Sequence, residues 1–127
     1  MLINTPISLG ELVDKISILK IKKKNIFDNK KLNFINEELL LLEKTLLESV
    51  NDEEIKEFLS ELELINSKLW KIEDDIRDCE RNKKFDEKFI DLARLVYFTN
   101  DKRSEIKLDI NSFFGSALVE IKSYEKY

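Results

Sequence analysis

Arg103, Asn100, Asp101, Lys107 and Asn111 fall on a helical stretch whose remaining period is apolar, and their side chains suit anions and sugars. An arginine fork matches a carboxylate or phosphate through two parallel hydrogen bonds, and amides pair with hydroxyls. Thr99 and Arg103 occupy the apolar stripe itself, while Asn100, Lys107 and Asn111 continue the row of Ala93 and Tyr97 at its flank. A guanidinium withdrawn from water is costly unless paired, so Arg103 requires a partner. An earlier polar row, Trp70, Glu73, Arg77 and Glu80, recurs at helical spacing, with Glu73 and Arg77 in the favourable i,i+4 order for an ion pair.

Two networks follow if these stretches pair antiparallel about the polar break Asn82-Lys83-Lys84, with residue i opposite roughly 166 − i. Arg94 then stands level with Ile72 and Glu73, Tyr97 with Leu69 and Trp70, Arg103 with Glu63, and Lys107 with Leu59. The first network joins Glu73, Arg77, Arg94 and Glu80; the second joins Asn100, Asp101, Arg103, Lys107 and Asn111. Trp70 and Tyr97 are either opposed stacking platforms or core aromatics. The networks themselves either fix helix register or line a pocket for an anionic or hydroxylated ligand.

Other chemistry is excluded by composition. Histidine is absent and Cys79 is the single cysteine. Zinc sites of the usual kinds, Ser-His-Asp and Cys-His catalysis, disulfide frameworks and the Glu-x-x-His motif of di-iron bundles all fall away. Glu73-Asp74-Asp75 could hold Mg²⁺ only by unwinding, because successive helical positions point about 100° apart. Glu54-x-x-Glu57 is similar to the first half of the metal motif in all-α nucleotide pyrophosphohydrolases. That motif needs a Glu-x-x-Asp pair on a later helix, and Glu11-x-x-Asp14 comes too early. Both carboxylate runs read as solvated face, so no metal and no cofactor is expected.

The elements that position these residues are helices. The chain has 127 residues, 38% charged and 43% apolar, interrupted by only two glycines and one proline. That is the composition of long helices in one domain, 1–127, and not of a sandwich or barrel. Ser8-Leu9-Gly10-Glu11 has capping-box spacing and opens a helix of about 9–26, with Leu9, Leu12, Val13, Ile16 and Leu19 on one face. Asp28-Asn29 breaks it, and Leu32, Ile35, Leu39, Leu42 and Leu46 mark the second. Asn51 caps a third, whose stripe from Ile55 to Cys79 runs seven turns over 52–81. The fourth spans about 85–112, Gly115 suits a left-handed C-terminal cap, and Ser116 can open a short final helix through Tyr124. The fold class is all-α: an antiparallel helical bundle built on a long hairpin, with two N-terminal helices and a short C-terminal one. Apolar residues at 39–42 in succession exceed what one stripe needs, and imply burial on two sides or a dimer interface; a homodimer is expected.

The net charge of −4 argues against nucleic acid as a partner. Seven lysines between 15 and 31 stand against Asp28 alone, and ten acids between 37 and 63 against Lys44 and Lys56. They read as two solvated faces of opposite sign, or else as a basic stripe for phosphates or an anionic membrane. No apolar run approaches the ~18 residues of a membrane span. Met1–Pro6 lack the charged and apolar regions of a secretory signal, so the expected location is the cytoplasm, where a lone thiol also fits.

The chain resembles a short bacterial family known as a domain of unknown function. The resemblance rests on Ser8-Leu9-Gly10-Glu11-Leu12-Val13-Asp14-Lys15-Ile16, then on Leu69-Trp70-x-Ile72-Glu73-Asp74-x-Ile76-Arg77-x-x-Glu80 and Phe85-x-x-x-Phe89-Ile90-x-Leu92-Ala93-Arg94. It continues through Val96-Tyr97-x-x-Asn100-Asp101-x-Arg103-x-x-x-Lys107-x-x-Ile110-Asn111 and closes on Gly115-Ser116-x-x-x-Glu120-x-Lys122-x-Tyr124. It is loosest over 28–55. It implies stand-alone helical proteins, or appendages of other domains, encoded near cell-surface polysaccharide genes, and it carries no activity. The residues that define it are largely the polar ones that break the helical stripe.

Three functions stay open. The first is a small cytoplasmic binding or accessory protein linked to surface-polysaccharide biosynthesis, its patch taking a sugar phosphate or a glycosylation-related protein. The second is a metal-independent enzyme of chorismate mutase type, with an anionic substrate inside the bundle. Its first helix offers Lys15 where such a site would want an arginine. The third is a purely structural dimerisation module.

Overall fold

In a computed structural model describing residues 1–127, four helices follow one another: α1 (Leu9–Asn25), α2 (Asn29–Ser49), α3 (Asp52–Arg81) and α4 (Glu87–Phe114). Each begins on a side chain that accepts an otherwise orphaned backbone N–H. Ser8 Oγ takes Glu11 N at 3.2 Å, Asp28 takes Lys31 N at 2.8 Å, and Asn51 takes Glu53 N at 2.9 Å. Asp86 takes Phe89 N at 3.3 Å. Lys22, Lys23 and Lys24 close α1, and Asp52, Glu53 and Glu54 open α3, each sign at the end its helix dipole favours. Gly115 ends α4 with φ 67°, a conformation that a Cβ would strain.

The short C-terminal helix expected from Ser116 is not formed. Residues 116–127 run without regular structure as a strap along α4. The groups that would have started that helix are used elsewhere: Ser116 Oγ accepts from Leu9 N at 3.1 Å and donates to Leu118 O at 2.7 Å.

α1 packs against all three other helices. Leu12, Val13, Ile16 and Leu19 meet Ile35, Leu39 and Leu46 of α2, Ile55 and Leu62 of α3, and Ile106 and Ile110 of α4 in one core. α4 runs antiparallel to α1, because Gly10, Glu11 and Asp14 meet Asn111, Lys107 and Arg103 in turn. At 1.5 Å per residue α1 is about 25 Å long and α3 about 45 Å, so the far half of the α3–α4 hairpin reaches past α1. That half is held by a small core of Ile72, Cys79 and Leu92. No helix is long and apolar enough to cross a membrane.

Candidate functional site

α1, which packs against all three other helices, buries a small and polar row. Gly10, Asp14, Ser17 and Ile21 follow at steps of four, three and four on α1, and all are buried. Asp14, wholly inaccessible, is the hub. Its carboxylate accepts from Arg103 Nε at 2.9 Å, from a second Arg103 nitrogen, and from Asn66 Nδ2 at 2.8 Å. Asn66 also donates to Ser17 Oγ at 2.7 Å, and Ser17 donates to the Asp14 carbonyl at 2.7 Å. Arg103 reaches Asn100 Oδ1 at 3.4 Å with its remaining edge.

One turn along α4, Lys107 Nζ donates to Glu11 Oε2 at 2.7 Å and to Glu120 Oε2 of the strap at 2.8 Å, with Asp14 at 4.0 Å. A turn further, Asn111 Oδ1 accepts from Gly10 N at 2.7 Å. Gly10 is needed for this approach: a Cβ there would lie 2.5 Å from the Lys107 carbonyl oxygen. Hydrogen bonding to Asp14 raises the Arg103 pKa above its ordinary value. Burial opposes the charge of Lys107, yet its bonds to Glu11 and Glu120 outweigh burial and raise its pKa. Lys107, then Lys122, hold the Glu120 carboxyl down at about 2. No buried side-chain nitrogen or oxygen lacks a partner.

The partners differ from those expected on the hairpin. Arg103 is paired with Asp14 and not with Glu63, which lies 3.7 Å from both Lys20 and Lys24. Lys107 turns to Glu11 and Glu120 and not towards Leu59. The reason is that α1 fills the wedge between α3 and α4, so that α4's polar row faces α1.

The first expected network does not form. Glu80 pairs with Lys83 at 3.1 Å in the hairpin turn, and Arg94 lies over the Phe98 ring at 5.7 Å. Tyr97 points outwards and stacks with Phe98 and Tyr127, so it is no counterpart to Trp70. Asp101 accepts from the Tyr127 hydroxyl, whose pKa is pushed up to about 12 by that bond. No three carboxylate or thiol groups converge as metal ligands.

Trp70, Glu73 and Arg77 instead line an open groove of about 550 Å³ between α1, α3 and α4, to which Asn100 and Arg103 also contribute. Arg77, Glu73 and Asp74 enter no ion pair there, and Trp70 is half-buried. The patch therefore has two parts. The Arg103–Lys107–Asn111 side is saturated by partners from α1 and the strap. The Trp70–Arg77 side holds uncommitted charges beside an aromatic surface.

The sequence reading missed Glu11, Asp14, Ser17, Asn66 and Glu120. Two signals were available: the small and polar row through Gly10, Asp14 and Ser17, and Asn66 inside the stripe of α3. No protein-family model, curated protein or solved structure matches the chain.

Proposed function

We propose that this is a small cytoplasmic binding or accessory protein, working as a homodimer, whose groove between α1, α3 and α4 takes a sugar phosphate. The single observation that carries this reading is Arg77, a guanidinium without an ion-pair partner, two turns from the half-buried Trp70 on the wall of a 550 Å³ groove. The parts divide by chemistry. Arg77 suits a phosphate; Glu73, Asp74 and Asn100 accept hydroxyl protons; Trp70 offers an apolar plane to a sugar ring. The resemblance to proteins encoded beside surface-polysaccharide genes supports a sugar-bearing ligand. An internal clamp of the enzyme type is less well supported, because Asp14, Glu11 and Glu120 already neutralise Arg103 and Lys107. That same saturation favours the structural module as the second reading.

Thermal unfolding with millimolar phosphate, sulfate, nucleotides, sugar phosphates and nucleotide sugars separates them. A ligand at a hundredfold excess over Kd adds about 2.7 kcal/mol of stability, on the order of 10 °C for a chain this size. Sugar phosphates should raise the wild-type midpoint and leave Arg77→Met, an exposed and unpaired position, unmoved. No shift with any compound would abandon the groove in favour of the structural module.

A further inference from the structure

α2 lies against α1 through Ile35, Leu39 and Leu46, the only three of its 21 residues that are buried. Its opposite face carries Phe34, Leu40, Leu41 and Leu47, exposed by 66%, 68%, 49% and 60%. At about 100° per residue, Phe34 and Leu41 form one row and Leu40 and Leu47 another. Glu37 and Lys44 fall on the line between the rows, both exposed and neither ion-paired within the chain. Glu43, nearer α1, is taken by Lys20 at 3.9 Å.

This face is symmetric about the midpoint between Leu40 and Leu41. Phe34 and Leu47 stand equally far from that point, and so do Glu37 and Lys44, with opposite charges. We propose that α2 is the surface on which two copies of this chain pair, antiparallel, about a two-fold axis at Leu40–Leu41. The proposal deepens the homodimer reading and rests on it. In this arrangement Glu37 is level with the partner's Lys44, and Lys44 with the partner's Glu37. Phe34 is level with the partner's Leu47, and the central leucines of both copies meet.

A two-fold contact must be self-complementary, and this one is complementary in charge as well as in apolar surface. A parallel pair would set Glu37 against Glu37 and Lys44 against Lys44, which is repulsive. The longer-range charge agrees. The α1–α2 end of the molecule holds Lys22, Lys23, Lys24, Lys30 and Lys31, and the other end of α2 abuts Asp52, Glu53 and Glu54. Antiparallel pairing brings the basic end of one copy to the acidic end of the other.

The test combines sedimentation equilibrium with disulfide trapping, with far-ultraviolet circular dichroism confirming that each variant is folded. Wild type should sediment at twice the 15.1 kDa chain mass. Glu37→Lys should weaken the dimer by at least about tenfold, and Glu37→Lys/Lys44→Glu should restore it. In a Cys79→Ala background, an oxidised mixture of Glu37→Cys and Lys44→Cys chains should cross-link. Either chain alone should not, because like positions lie about 10 Å apart along the helices, too far for a disulfide. A monomeric wild type would overturn both the homodimer and this interface. A dimer indifferent to Glu37→Lys and to Leu40→Glu would overturn the interface and leave the homodimer standing on another surface. Self-linking of Glu37→Cys chains would overturn the antiparallel arrangement.

Discussion

Arg103 Nε donates to the Asp14 carboxylate at 2.9 Å, closing α4 onto α1 across 89 positions of chain. Asp14 is fully buried, whereas the Arg103 side chain keeps about a quarter of its surface, at 28%. The pair is therefore asymmetric: the acid is locked inside the bundle, and the base spans from the interior to the groove.

Removing the base should hurt more than removing the acid. Arg103→Met strands the fully buried Asp14 carboxylate without its guanidinium and should cost about 3–5 kcal/mol, whereas Asp14→Ala leaves a guanidinium that already reaches the groove. Urea unfolding of Asp14→Ala, Arg103→Met and the double variant Asp14→Leu/Arg103→Met reads the difference. The double variant, with both charges gone and the volume kept apolar, should recover most of the loss. A double variant as unstable as Arg103→Met would refute the pairing as the source of the effect.

Gly10 sets how closely α1 approaches α4. A Cβ would meet the Lys107 carbonyl, which is backbone and cannot swing aside. Gly10→Ala should therefore destabilise the protein by about 1–3 kcal/mol although alanine is the better helix former. A thermal midpoint equal to or above wild type would show that the helices are not held this close.

The strap should come loose in acid. Glu120 has its pKa lowered from 4.5 to about 2 by Lys107 and then Lys122. A depressed carboxylate contributes its stability in full above the ordinary value, and that contribution fades as pH falls through the folded one. Amide protection of residues 116–127, taken relative to intrinsic exchange at each pH, should thus fall between pH about 4.5 and about 2. Glu120→Gln should show low protection of the strap already at neutral pH and no further step in that window. The raised pKa of Lys107 keeps the contact at alkaline pH to above 10.5.

Tyr127 gives an independent reading of the strap. Its hydroxyl donates to Asp101, and its pKa is raised from 10.0 to about 12. The bond contributes below pH 10 and is lost as the pH rises through about 12. Absorbance titration at the phenolate band should contain a component near 12 that Tyr127→Phe removes. Asp101→Asn should move that component down towards 10.

Local signals carried far into the structure because helix starts and stops are decided within a turn or two. Ser8, Asp28 and Asn51 cap the helices that their spacing implied, and Gly115 ends α4 in the left-handed conformation. The third helix, 52–81, needed nothing beyond the period of its own apolar residues. Ser116 is the instructive failure: a good N-cap by type, it serves Leu9 N instead, a donor 107 residues away.

The site divides along the same line. That Arg103 interrupts an apolar stripe and needs a partner, with Lys107 and Asn111 on the flank, was legible from spacing alone. Which partners they take was not, because the hairpin offered Glu63 at a matching level and the small, polar row of α1 does not say which helix it meets. Asp14, Glu11 and Glu120 became partners only when α1 wedged against α4 at Gly10 and the strap folded back. Helix identity and the need for a counter-charge are properties of a few neighbouring residues, and the sequence by itself determined them. The choice of counter-charge, and the open groove at Trp70 and Arg77, depend on which surfaces three helices bury together, and only the tertiary structure decided that.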